Sequence, residues 1–140
     1  MKSIRFGILA ILTLSLSIIV PSMSAQTIAK ATVPFPFTVG QKEMPAGDYV
    51  ISSVSDTAIA IMNRNKGTSV ITLFRSEQPS SNDGTAKLVF HRHGEQYFLS
   101  QVARGFGGNV IQLRTSNLES EAQIQNARQN SQREVVVGAK

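Results

Sequence analysis

The hydrophobic pattern changes character several times along this chain, and each change predicts a different element. Residues 6–20 carry no charge and are rich in Ile and Leu. From 32 to 39 the pattern alternates strictly. Val33, Phe35, Phe37 and Val39 share one face, and Thr32, Pro34, Pro36 and Thr38 the other. A period of two predicts a half-buried strand. Its two prolines cannot donate to a ladder, which places it at a sheet edge or pairs it on one side only. Turn signals at Gly40-Gln41-Lys42 and Pro45-Ala46-Gly47-Asp48 follow, and then a strand over 49–54.

Two hairpins come next. Apolar runs at 59–62 and 70–74 flank Asn63-Arg64-Asn65-Lys66-Gly67, with Gly where positive φ is needed. After a polar connection over 76–84, runs at 86–92 and 97–103 flank a tight turn at Gly94-Glu95. A two-residue turn sets Phe90 against Leu99, Arg92 against Tyr97 and His91 against Phe98. Gly105-Phe106-Gly107-Gly108 reads as a loop or bulge, and 110–113 as a last short strand. The pattern predicts an all-β, mainly antiparallel domain over 26–115, a small β-sandwich or partly closed barrel of about six to eight strands.

At Ser116 the period is lost. Ser116-Asn117-Leu118-Glu119 has capping-box spacing, which predicts a helix start. The apolar residues that follow, Leu118, Ala122, Ile124 and Ala127, do not fall on one helical face. Residues 116–140 are therefore expected to form a polar helix and tail, with Val135-Val136-Val137 either returning to the sheet as an edge strand or staying free.

Flanking residues decide the nature of the first apolar run. Lys2 and Arg5 precede it, and Pro21-Ser22-Met23-Ser24-Ala25 follows. That order predicts a secretory signal peptide over 1–25, cut after Ala25 or, alternatively, Ser24. A run of fifteen residues falls short of the roughly 20 that span a membrane, so no stable membrane anchor is expected after cleavage. The mature chain would be periplasmic or extracellular. The chain has no cysteine, so packing alone must hold it together in an oxidising compartment. Thiol catalysis and thiolate metal sites are excluded.

Removal of Lys2 and Arg5 leaves twelve basic residues against nine acidic ones, a net charge of +3. The basic residues are scattered, unlike the clustered stripe of a nucleic-acid binder, so no nucleic-acid partner is expected.

Several segments carry a resemblance. Val33-Pro34-Phe35-Pro36-Phe37-Thr38-Val39-Gly40, then Met44-Pro45-Ala46-Gly47-Asp48-Tyr49, then residues 87–100 resemble a group of small exported proteins abundant in soil bacteria of the acidobacterial type. The closing Val135-Val136-Val137 resembles that group too. The resemblance implies an exported β-domain of unknown function, with no catalytic residues to carry over. In that group an aromatic residue often stands where this chain has His93, so the resemblance implies no metal there.

Candidate chemistry centres on His91-Arg92-His93. Histidines at i and i+2 of a strand point to one side, as in several β-barrel metal sites. A third ligand is needed. The cupin-type spacing would put a Glu at 97 or 98, where Tyr97 and Phe98 stand, and Glu95 sits in the turn. His91 and His93 are thus weak metal candidates, and the expectation is no metal, with both on a wetter face opposite Leu88 and Phe90. Arg92 opposite Tyr97 reads as a cross-strand cation–π or hydrogen-bonded pair. No hydrolase elbow or favoured carboxylate pair occurs, so no enzyme, catalytic residue or cofactor is expected.

Together these features predict an exported, non-catalytic binding or interaction module of the cell envelope or extracellular space, with a partner the sequence does not identify. Arg92, Tyr97, His91 and Phe98 form its candidate contact patch. A carrier of a small apolar ligand in a cavity lined by Phe35, Phe37, Phe74, Phe90, Phe98 and Phe106 is the alternative. A metal-dependent enzyme using His91 and His93 is the third.

Overall fold

Pro34 and Pro36 have no N–H to give a neighbouring strand, so a ladder that reaches Val33 cannot run on through them. In the computed structural model, which describes residues 25–78, 84–105, 108–128 and 132–140, the chain breaks there. The elements in order are β1 (Gln26–Val33), β2 (Phe37–Val39), β3 (Lys42–Met44), β4 (Gly47–Ser55), β5 (Ala58–Asn63) and β6 (Ser69–Glu77). They continue with β7 (Lys87–His93), β8 (Gln96–Ala103), β9 (Val110–Leu113), α1 (Asn117–Ala127) and β10 (Gln132–Gly138).

The single strand expected over 32–39 is thus two. β1 pairs antiparallel with β4, whereas β2 pairs with β3 and, in parallel, with β8 through Thr38 and Phe98. The alternation survives the break. Val33, Phe37 and Val39 are buried and Phe35 partly so, on opposite sides of the proline corner. Burial of alternate side chains thus continues while the hydrogen-bonding partner changes.

β1, β4, β5 and β6 follow one another in one half of the sheet. β6 then changes neighbour: Ser69–Leu73 pair with β5, and Phe74–Glu77 with β9. From β9 the order passes to β8, β7 and β10. The sheet is mostly antiparallel and does not close into a barrel. Its ends meet at one point, where Lys30 and Lys140 exchange backbone hydrogen bonds of 3.0 and 2.9 Å. The described residues hold ten strands against the six to eight expected. The proline break and the three-residue β2 and β3 account for much of the excess, because three residues are too few to show a period.

One core joins the two halves. Phe37 meets Tyr49 edge-on at 5.0 Å and Phe90 at 5.2 Å, while Phe35 lies edge-on to Phe90 and stacked on Tyr97 at 4.1 Å. These rings interlock rather than line an opening. The buried Tyr49 hydroxyl donates to the Pro45 carbonyl, and burial raises its ionisation above the usual phenol range.

The predicted signal peptide lies outside the described residues except for Ala25, as do Phe106 and Gly107. Among the described residues no helix is long and apolar enough to cross a membrane.

Two outcomes follow from this framework. Phe90→Ala removes the buried ring that Phe35 and Phe37 both meet edge-on and should lower stability by about 3–5 kcal/mol, read from the denaturant midpoint. Hydrogen bonds from Thr32 (2.6 Å) and Asn65 (3.3 Å) hold the Asp48 carboxyl below its usual value of 3.8. A depressed folded value means that this support is complete above the unfolded value and vanishes as pH falls through the folded one. Asp48→Asn should therefore flatten the loss of stability between about pH 4 and pH 2.

Candidate functional site

Gly94 takes φ +63° and forms, with Glu95, the two-residue turn that joins β7 to β8. That turn fixes the register at Phe90–Leu99, His91–Phe98 and Arg92–Tyr97. Ser100 is then skipped, as a bulge, before Gln101 pairs with Val89. The alternation sends Leu88 and Phe90 into the core and Val89, His91 and His93 to the other face.

That other face is not the wetter one expected. His93 is 6% exposed and Phe98 3%. The cover includes α1. Ser116 caps it by accepting from the Glu119 amide at 3.1 Å. Glu119, Ala122 and Asn126 are its buried residues, while Leu118 and Ile124 are exposed. The helix therefore docks by a polar edge and a single methyl group, and shows its larger apolar side chains to solvent.

The Glu119 carboxylate, at the capping-box position, turns to the sheet. His91 Nδ1 donates to Glu119 Oε1 at 2.7 Å, and His93 Nε2 lies 3.6 Å from the same oxygen. The three side chains each bring one ligand-type atom to within 4.8 Å of the others. They differ in exposure: the His91 side chain is 41% exposed, against 5% for His93 and 7% for Glu119. His93 Nδ1 is buried with no hydrogen-bond partner. A recess of 220 Å3 between the β7–β8 turn and α1 is lined by His93, Gln96, Ala122 and Asn126 among others.

The expected contact patch divides between two faces. Arg92 and Tyr97 lie on the core side, with the guanidinium 5.6 Å from the ring centre as predicted. Arg92 is engaged further by the Gly94 carbonyl at 2.7 Å and by Glu95 at 3.2 Å. His91 and Phe98 lie on the helix side, and Phe98 is covered, its ring 5.8 Å from His93. Phe98 therefore serves as floor beneath the helix rather than as exposed contact surface.

Sequence spacing did not identify Glu119. Cupin-type spacing points to a third donor within the hairpin, whereas the fold brings it from a helix beyond β9. The one available signal was its N3 position after Ser116, which reads equally well as ordinary capping.

No family model, curated protein or solved structure matches the chain.

If Glu119 holds the helix down, its loss should be local. Glu119→Ala removes a charge-assisted hydrogen bond worth about 1.5–3 kcal/mol. Amide exchange over 117–127 should quicken by about ten- to hundredfold, while β4 and β5 keep their protection.

Proposed function

We propose that this chain is an exported binding module whose ligand site is the polar junction between α1 and the β7–β8 hairpin. One observation carries the reading: two imidazoles and a carboxylate, with His93 and Glu119 more than nine-tenths buried, bring ligand-type atoms together in a junction built from Glu119, Ala122 and Asn126, where His93 Nδ1 has no partner. A buried polar atom without a partner costs about 1–3 kcal/mol. An apolar helix face over an apolar strand would hold α1 better. A junction that gives up stability in this way fits selection for binding. The recess beside His93 gives a small ligand its approach.

Support for export comes from the order of charge, apolar run and small residues over 1–25, and from the resemblance to small exported β-domains. The interlocked aromatic core favours a site at the surface over a carrier's interior cavity. The site residues are His91, His93 and Glu119, with Asn126 and Phe98 as its walls.

Native mass spectrometry of the protein recovered from the exported fraction tests the reading. The expected result is a chain lacking residues 1–25 and carrying a small stoichiometric adduct that is lost in His93→Ala. A bare chain at every tested concentration of the native extract would overturn it.

A further inference from the structure

We infer that the ligand of this junction is a divalent first-row transition-metal ion of the zinc and copper class, held by His91 Nδ1, His93 Nε2 and Glu119 Oε1. The inference rests on the binding-module reading and names its ligand.

Donor chemistry sets the class. Two imidazole nitrogens and one carboxylate oxygen suit zinc, copper(II), nickel and cobalt, whereas magnesium and calcium take oxygen ligands. With no cysteine in the chain, a thiolate-rich copper(I) site is ruled out. Three protein donors leave a fourth tetrahedral position for water. Half-exposed His91 places the cluster next to solvent, while His93 and Glu119 anchor it from the buried side.

Distances agree with that assignment. Bonds of about 2.0–2.2 Å at tetrahedral angles put donor atoms about 3.3–3.5 Å apart. His93 Nε2 and Glu119 Oε1 are already 3.6 Å apart, and His91 Nδ1 is 2.7 Å from the same oxygen. One ligand-type atom from each of the three residues lies within 4.8 Å of the other two. Opening one pair by less than 1 Å, with no more than about 1.5 Å of closure in the other, completes the triangle. Side-chain rotation alone can supply movements of that size. The ion binds the Nδ1 lone pair of the Nε2–H tautomer of His91, in place of the hydrogen bond from that ring to Glu119.

Charge argues the same way. Glu119 places a carboxylate in a nearly closed junction, where an uncompensated charge is costly. A divalent cation compensates it and binds both rings at once. Because two donors come from β7 and the third from α1, binding also fastens the helix to the sheet.

The test is isothermal titration of the purified chain with zinc sulfate after chelator treatment, repeated with copper(II). One ion per chain is expected, with slower amide exchange over 117–127 on binding. Glu119→Gln and His93→Ala should each weaken binding at least about tenfold. Glu77→Gln, on an exposed carboxylate of β6 outside the junction, should leave it unchanged. Should His93→Ala fail to fold, His91→Gln at the half-exposed donor supplies the second variant, with the same expected loss. Binding that persists undiminished in the folded Glu119 and His91 variants would overturn the assignment. A flat titration with an organic adduct in the native spectrum would overturn the metal and keep the binding module. A flat titration with no adduct of any kind would overturn both.

Discussion

Two missing backbone donors shape this fold. With Pro34 and Pro36 in place, a strand cannot continue past Val33, yet its alternating side chains still gain by burial. The chain meets both demands by changing partners at the corner: β1 stays with β4 while β2 moves to β3 and β8. The aromatic cluster then follows, because the corner delivers Phe35 to Tyr97, and Phe37 to both Tyr49 and Phe90. The far half of the sheet, and the hairpin that carries the histidines, are held against the first half by these rings.

A second conflict is settled at Glu119. Its position in the first turn of α1 suits a capping carboxylate, but a carboxylate can also face a pair of imidazoles, and here it faces them. Ser116 supplies a side-chain cap, through the Glu119 amide. One residue thus gives its backbone to the helix terminus and its side chain to the sheet. This explains how a helix with little apolar attachment can sit on β7 and β8.

Most of the framework was legible because it rests on short-range rules. The Gly94-Glu95 turn fixes the β7–β8 register, and that register follows the strand alternation residue for residue from Phe90 to Arg92. A return of Val135-Val136-Val137 to the sheet was one of two open readings, and β10 takes it, pairing them with Phe90, Val89 and Leu88. What was hidden has a physical cause. The inward face of α1 is Glu119, Ala122 and Asn126, which no hydrophobic period can reveal. The third donor of the site lies on a separate element, so its nearness to His93 is a product of tertiary packing. Without knowledge of the helix cover, His93 reads as a surface residue.

The placement of α1 between β9 and β10 has a kinetic consequence. Both flanking strands are tied into the sheet, β9 to β6 and β8, and β10 to β7. Lifting the helix breaks no strand pairing, so the histidines can be uncovered without global unfolding. Residence time at the junction is then set by a local opening rate, and a substitution that stiffens the aromatic core would raise the melting temperature while leaving exchange at the junction as fast as before.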